Sequence, residues 1–254
     1  MMRILLLSFI LLFSSAAYTA SLKITVSSRP IANIVQLVIQ DNKINAKIDV
    51  IASSGSCPHE YILKPSDFAK TKDSNFVIYM SDNFEPFIKP ITKNSDAKII
   101  NLSHELGIKP TSNMHIWMSI ENIKKTVRII STALNIPSGI ALRKITDLSK
   151  YKKIQLSDLK SVLLLSDSLE YLFEDLPHVK VTNLYIKPGM TSARDIVSLS
   201  NQSPEICILI NGEENVESIE SKIGHKVVSV TSENWSLEGY KKIIDDIKSN
   251  CTTK

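Results

Sequence analysis

The chain has 254 residues, of which 43% are hydrophobic and 22% are charged, so it is long enough for one large domain or for two lobes of about 100 residues each. Its net charge of +4 is spread along the sequence rather than gathered into a basic arm, which argues against nucleic-acid binding. Seven glycines occur, and none forms a phosphate-cradling motif, so nucleotide binding is unsupported.

The first twenty residues have the three parts of a secretory signal peptide. Arg3 precedes an apolar run at residues 4–13, and small residues follow at 14–17. The apolar run is shorter than the roughly 20 residues that a membrane-spanning helix needs, although a membrane anchor is the alternative. We expect cleavage between Ala17 and Ala20 and a soluble, monomeric mature protein outside the cytosol.

Beyond this segment, short runs rich in valine and isoleucine alternate with segments of helical period. Such alternation predicts parallel α/β sheets with right-handed crossovers. The runs typical of buried parallel strands are Leu22–Val26, Lys47–Ala52, Phe76–Met80, Lys98–Leu102, Val162–Leu165, Val179–Leu184, Ile206–Ile210 and Lys226–Val230.

Several residues between the strands mark the beginnings of helices. Pro30 suits a first helical turn, where its missing N–H costs nothing. Ser66-Asp67 and Ser192 are typical caps of the helices that follow them. The last helix is predicted over Leu237–Lys248, which carries isoleucines at helical spacing.

The alternation breaks once, between Asn122 and Leu159. We interpret the break as two α/β lobes joined by one long rigid helix with Pro137 in its first turn. The predicted division is a first lobe at residues 21–135, a linker at 136–160 and a second lobe at 161–254. Two helical segments fill the break, one through Ile123, Val127, Ile130 and Leu134 and the other through Ile140, Lys144, Leu148 and Tyr151.

Three cysteines are present, Cys57, Cys207 and Cys251. An odd count in a secreted protein leaves at least one cysteine unpaired or bonded elsewhere. A bridge between Cys207 and Cys251 would tie the last helix to the sheet and stabilise the fold by about 2–4 kcal/mol. Cys57 would then be the odd one.

Two of the five histidines lie in loops where a ligand could bind. His59 follows the strand Lys47–Ala52, and His115 directly precedes the first helix of the break. In open α/β folds, ligands bind beyond the carboxyl ends of the strands, where such loops converge. Imidazole is the commonest metal-binding side chain, but for a histidine taken alone a hydrogen-bonding loop residue is the commoner case.

Four segments, in this order, resemble motifs of the metal-binding proteins of zinc and manganese ABC importers. The resemblance covers nearly the whole mature chain. The segments are Pro58–Asp67 (PHxYxxxPSD), Phe76–Tyr79 with Asn83–Ile88, His115-Ile-Trp117 with Asn122 (HxWxxxxN), and Pro188–Asp195.

The resemblance implies two α/β lobes joined by a rigid helix, with a metal ion in the cleft between them. Family members use three histidines and a carboxylate, or two histidines and two carboxylates, and the first two positions fall on His59 and His115. The resemblance also implies a disulfide between Cys207 and Cys251, as in zinc-specific members. The expected activity is binding and not catalysis.

The other two ligand positions depart from the family. The third falls on Ser166, a poor ligand, so the adjacent Asp167 is a candidate, unless it caps the helix that follows. The fourth falls on Thr231. Glu233, two residues further on, is either a ligand that reaches the site or a solvated loop residue, and we favour the solvated loop position. Cys57 offers a thiolate that suits zinc, or it is a small loop residue without a metal role.

The sequence therefore predicts a periplasmic solute-binding protein. It would capture a divalent metal, Zn²⁺ with Mn²⁺ as the alternative, and deliver it to the permease of an ABC importer. One rival is a relative that has lost tight metal binding and acts as a surface adhesion or interaction protein. A second rival, a secreted metallohydrolase, lacks a motif such as HExxH.

Overall fold

Two parallel four-stranded sheets form the framework of the protein. The structure is a computed structural model that describes residues 21–53, 61–186, 192–203, 205–212, 216–233 and 235–251. The strands are β1 (Leu22–Ser28), β2 (Ala46–Ala52), β3 (Phe76–Tyr79), β4 (Lys98–Asn101), β5 (Ser161–Leu164), β6 (Lys180–Asn183), β7 (Cys207–Asn211) and β8 (Val227–Val230). The helices are α1 (Arg29–Asp41), α2 (Pro65–Thr71), α3 (Ile88–Lys93), α4 (Leu102–Glu105), α5 (Ile120–Leu134), α6 (Gly139–Gln155), α7 (Ala193–Ser200), α8 (Val216–Ile223) and α9 (Leu237–Cys251), with 3₁₀ helices at Ile116–Met118 and Asp167–Phe173.

Both sheets have the same strand order. The first, which defines the first lobe, is ordered β2-β1-β3-β4, and the second, which defines the second lobe, is ordered β6-β5-β7-β8. The direction of winding therefore reverses between β1 and β3 and again between β5 and β7, and crevices open at the carboxyl ends of those strands. All eight predicted strands are present, and the two-lobed α/β fold is confirmed. The residue boundaries of the lobes stay a prediction.

Two of the three helix starts predicted from the sequence agree with the structure, and the third differs. Pro30 lies in the first turn of α1, and the Ser192 hydroxyl accepts from the Asp195 N–H at 3.2 Å. Ser66, however, is not a cap, because α2 already begins at Pro65. Instead, the carboxylate of Asp67 accepts a hydrogen bond from the backbone N–H of Lys64, the residue before the helix.

The helix α6 buries a different face from the one predicted. Pro137 precedes the helix and is not part of its first turn, since α6 begins at Gly139. Ile140 is 44% exposed, and the buried face instead runs through Ala141, Ile145, Leu148 and Lys152. Although α6 has 17 residues, no helix in the described ranges is both long and apolar enough to cross a membrane.

One apolar core runs through the described part of both lobes. It includes Ile34 of α1, Ile123 of α5, Leu164 of β5 and Ile244 of α9, all of which are fully buried. The helix α6 contacts α1 and α5 on one side and α9 on the other. Burial of apolar surface stabilises a contact by about 25 cal/mol per Å². The lobes are therefore joined by packing as well as by the helix α6.

Polar contacts and a disulfide add to this packing. The Tyr240 hydroxyl of α9 donates to the Met118 carbonyl oxygen at 3.0 Å, across the lobes. Cys207 and Cys251 form a disulfide with 5.2 Å between their Cα atoms, which confirms the predicted pairing. It ties β7 to the end of α9. Cys57 lies outside the described residues.

Candidate metal centre

A pocket of about 170 Å³ lies between the lobes. Asn83 and Phe84, which follow β3, form one wall, and Asp167, which follows β5, contributes from the second lobe. The loop that ends at His115 completes the lining, through Pro110, Ser112, Asn113 and Met114. The pocket thus lies at the carboxyl ends of strands from both sheets, where ligands of such folds bind.

Two aromatic rings hold the imidazole of His115 at this pocket. Its ring centroid lies 5.3 Å from that of Phe84 and 5.3 Å from that of Trp117, edge to face in both cases. Only 12% of the His115 side chain is exposed, and Trp117 is fully buried. The 3₁₀ turn Ile116–Met118 is therefore anchored in the core, and the imidazole has a defined orientation.

Asn113 fixes the tautomer of His115. The Nδ2 of Asn113 donates to the Asp167 carbonyl oxygen at 2.6 Å and to Glu170 Oε2 at 3.0 Å. These acceptors orient the side-chain amide of Asn113. Its Oδ1 accepts from the backbone N–H of His115 at 2.9 Å and lies 2.9 Å from the ring nitrogen Nδ1 of His115. Because an amide oxygen only accepts, Nδ1 carries the proton, and Nε2 of the neutral ring carries the lone pair.

The same asparagine also connects the two lobes. Asn113 belongs to the loop before α5, whereas Asp167 and Glu170 belong to the 3₁₀ helix after β5. The hydroxyl of Tyr171 in that helix donates to the Asn113 carbonyl oxygen at 2.9 Å. Three hydrogen bonds across the cleft thus set the position of His115 relative to the second lobe.

Asp167 shares the pocket with His115 and caps no helix. It is the first residue of the 3₁₀ helix Asp167–Phe173, whose N-cap is Ser166, so the capping alternative is wrong. The Ser166 hydroxyl lies 3.0 Å from the Ser168 hydroxyl. The second lobe therefore offers the exposed carboxylate of Asp167 at the pocket, one residue after the position that the family uses.

Glu233 lies near His115 and remains partly exposed to solvent. Its Oε1 is 3.8 Å from His115 Nε2, and 38% of its side chain is exposed. Burial raises the pKa of the Glu233 carboxyl, and the Ser232 hydroxyl partly offsets the rise. Thr231, at the position of the family's aspartate, is exposed. The loop after β8 therefore brings its third residue, rather than its first, to the first lobe.

A second carboxyl group, that of Glu85, is fully buried where the winding reverses between β1 and β3. Its Oε2 accepts from the Met80 N–H at 2.6 Å. Burial raises the pKa of Glu85 to about 7, and the charge of Glu233 contributes to the rise. Sequence reasoning missed this residue because Asn83–Ile88 matched a family motif as a whole, with no signal that marked Glu85 as buried.

His59 and Cys57 lie outside the described residues. The residues that flank their loop are described. Ser53 follows β2 at the carboxyl edge of the first sheet, and Tyr61 packs edge to face on Phe87 with 5.1 Å between ring centroids. Within the described ranges, no three His, Cys, Asp or Glu side chains come together as a metal site. The full ligand set therefore stays a prediction.

Known proteins are similar to this chain in sequence and in fold. Residues 24–136 match the family described as zinc-uptake complex component A, periplasmic. An uncharacterised protein of Rickettsia prowazekii is 28% identical over 247 residues, which cover 91% of this chain and 80% of that protein. The high-affinity zinc uptake system protein ZnuA of Haemophilus influenzae is 30% identical over 97 residues, which cover 38% of this chain and 28% of that protein.

Solved structures cover most of the chain. Zn(II)-bound AdcA of Streptococcus pneumoniae has a TM-score of 0.73 at 18% identity, and the match covers 92% of this chain but only 58% of that chain. The ZnuA-like domain of AdcA has a TM-score of 0.76 at 18% identity and is covered completely, by 92% of this chain.

The fold and the interlobe pocket define a class, the two-lobed α/β proteins with a pocket between the lobes. Residues 24–136 match the periplasmic zinc-uptake family, and 91–92% of the chain shares its fold with AdcA and with ZnuA. The resemblance drawn from the sequence motifs is thereby confirmed. Members of this family are binding proteins and not enzymes.

Proposed function

We propose that the protein captures a divalent metal ion between its lobes in the periplasm and delivers it to the membrane permease of an ABC importer. Zinc is the favoured cargo because imidazole and thiolate donors suit it, and manganese is the alternative. Structures of this fold have been determined with Zn(II), Cd or Mn bound, so the fold itself does not choose the ion.

The orientation of His115 carries this proposal. Metal-binding histidines commonly donate their second ring N–H to a fixed acceptor, which sets the orientation of the coordinating nitrogen. Asn113 is such an acceptor, and the carboxylate of Asp167 lines the same pocket from the second lobe. The proposed ligands are His59, His115 and one of Asp167 or Cys57, with water.

Binding of this kind follows mass action. A metal that joins ligands from both lobes stabilises the folded, assembled site. Because histidine ligands must be neutral, we expect the affinity to fall as the pH drops through about 6.5.

The experiment is a calorimetric titration of chelator-treated protein with zinc and with manganese. The variant H59A/H115A should lose high-affinity binding. The matched control H104A/H225A removes two imidazoles elsewhere, one of which is 84% exposed, and should bind as the wild type does. Unchanged binding by H59A/H115A would remove the basis of the proposal. A wild-type protein that binds neither ion would instead support the rival interaction protein.

A further inference from the structure

The net positive charge of the chain lies in one helix, α6. Although basic residues occur all along the sequence, acidic residues balance them everywhere else. Of the 30 lysines and arginines, five lie in α6, and of the 26 acidic residues, one does, so the rest of the chain has 25 of each. Lys152 is buried, and the other four basic side chains of α6 are exposed. These four are Arg143, Lys144, Lys150 and Lys153.

Two exposed isoleucines mark the ends of the charged face of α6. Ile140 is 44% exposed and Ile154 is 68% exposed. Arg143, Asp147 and Lys150 lie between them, at the alternating spacing of three and four residues that keeps side chains on one face of a helix. The two isoleucines are separated by about 21 Å along the helix axis. The outer face of α6 is thus a basic strip with an apolar side chain at each end.

Acidic side chains offset only part of this charge. Asp147 lies 3.6 Å from Lys150, and both side chains are exposed, so water screens the pair. Asp41, the last residue of α1, pairs with Lys144 and is itself almost completely buried. The charge that the face presents to solvent is therefore positive.

The neighbouring helix α9 leaves this face open. Lys241 of α9 lies 5.7 Å from the ring centroid of Tyr151, and the hydroxyl of Tyr151 donates to Asp245. Beside α6, these two residues of α9 add one charge of each sign, so the positive excess remains. The lining of the pocket between the lobes includes no residue of α6. A partner bound to α6 would therefore leave that pocket open.

We propose that the exposed face of α6 binds the anionic surface of a lipid bilayer. Interfacial helices combine basic side chains, which are attracted to acidic headgroups, with apolar side chains that enter the boundary with the acyl chains. Arg143, Lys150 and Lys153 supply the charge, and Ile140 and Ile154 supply the apolar contacts. An acidic protein would match the charges alone, whereas a bilayer also accepts the isoleucines. This property goes beyond metal capture and does not depend on the metal.

The test measures sedimentation of the protein with lipid vesicles, in the presence of a chelator so that no metal ion bridges protein and lipid. Vesicles of equal parts phosphatidylglycerol and phosphatidylethanolamine are compared with neutral vesicles of phosphatidylcholine. All proteins in the comparison have the same N-terminus, so the apolar run at residues 4–13 cannot cause a difference between them.

Three multiple variants separate charge, apolar contact and position. All of the substituted side chains are exposed, so the fold should be retained, and far-UV circular dichroism checks this. The control removes as much charge as the first variant, but from the first lobe. The variants are R143Q/K150Q/K153Q, I140S/I154S and, as the control, K72Q/K89Q/K93Q.

We expect the wild type to bind the anionic vesicles and not the neutral ones, and to be released at high ionic strength. R143Q/K150Q/K153Q should bind about 100-fold more weakly, since each basic residue near an anionic surface contributes about a factor of five. The control should lose much less, because its lysines lie elsewhere. I140S/I154S should bind about 10-fold more weakly, because its apolar contacts with the bilayer are lost.

Equal losses in R143Q/K150Q/K153Q and in the control would show that only the overall charge matters, and would overturn the role of α6. Equal binding of the wild type to both kinds of vesicle would overturn it as well. If I140S/I154S bound as tightly as the wild type while the charge variant did not, the face would recognise charge alone. That result would overturn the bilayer as its partner in favour of an acidic macromolecule.

Discussion

Asn113 is the residue on which the orientation of His115 depends. An N113A variant removes the acceptor of the Nδ1 proton, so both tautomers of the imidazole become populated. We expect zinc affinity to fall by about 10–100-fold, as for loss of other groups that orient a metal ligand. Long-range ¹H–¹⁵N NMR of the metal-free protein should show the Nδ1–H tautomer in the wild type and a mixture in N113A.

A second substitution separates the two roles of this amide. The N113D variant keeps the acceptor for His115 but cannot donate to the Asp167 carbonyl oxygen. Because it would also repel Glu170, it is best combined with E170Q. Asn94 is an exposed amide of the first lobe, and N94A serves as the control. An N113A protein whose tautomer is unchanged would contradict the role of Asn113.

Glu85 should make the stability of the metal-free protein depend on pH. The unfolded chain loses this proton near the ordinary pKa of 4.5, whereas the folded chain keeps it up to a pKa of about 7. The protonated carboxyl of Glu85 therefore contributes its full share of the unfolding free energy below pH 4.5. This contribution is lost as the pH rises through about 7. Relative to E85Q, the wild type should lose at most about 3 kcal/mol over this range.

Urea unfolding of both proteins at pH 5 and pH 8.5, in the presence of a chelator, measures this difference. The E85Q variant should become the more stable of the two only at the higher pH. The exposed carboxyl of Glu238 provides a control, because E238Q should follow the wild type. A stability difference that is the same at both pH values would show that Glu85 is already ionised in the folded protein.

The sequence revealed only part of the candidate site. His115 and Asp167 were found because each lies next to a recognisable motif or a predicted strand end. Glu233 was named but expected to be solvated, because its proximity to His115 arises across the lobes. Glu85 was not found, because its importance comes from burial. A loop has no periodic sequence pattern, so its sequence does not show which of its residues contact the other lobe. Asn113 was missed for the same reason, since its partners lie more than fifty residues away.

At the scale of elements, the strands were predictable and the helix faces less so. Runs of valine and isoleucine predicted all eight strands, because parallel strands are buried on both faces. The prediction of the buried face of α6 was wrong, because it included Lys144 and Tyr151 and left out Lys152. Lys152 is fully buried, which a sequence pattern cannot indicate without knowledge of its partners.

Lys152 should be a major contributor to the packing of α6 against the second lobe. Its ammonium donates to the Leu172 carbonyl oxygen at 3.0 Å, pairs with Asp175 and lies 3.4 Å from the Tyr240 hydroxyl. Burial lowers the pKa of Lys152, and Asp175 opposes that shift. A K152M variant leaves the carboxylate of Asp175 without this partner, so we expect a loss of about 3–5 kcal/mol in unfolding free energy.

Denaturant unfolding of K152M measures this loss, with K153M as the control because Lys153 is the exposed neighbour on the same helix. The double variant K152M/D175L removes both charges and should recover part of the stability. If K152M and K153M were equally stable, the buried ion pair would have no net role in joining α6 to the second lobe.

At the scale of the whole molecule, the lobes share one core and are not independent bodies. Their apolar cluster is continuous through α1, α5, α6 and α9. Asn113 and Tyr240 add hydrogen bonds across the lobes next to the candidate site. A ligand bound at such an interface needs no large closure of the lobes, and small adjustments of loops are sufficient.

The shared core predicts a single unfolding transition for the whole chain. In differential scanning calorimetry, both lobes should melt together, because the loss of one exposes the apolar surface of the other. Free zinc at about 1,000 times its Kd should stabilise the protein by about 4 kcal/mol, which corresponds to about 8–16 °C in Tm. H115A should melt as one unit but without this shift. Two separate transitions, with zinc moving only one of them, would show that the lobes are energetically independent and that the metal is held by one lobe alone.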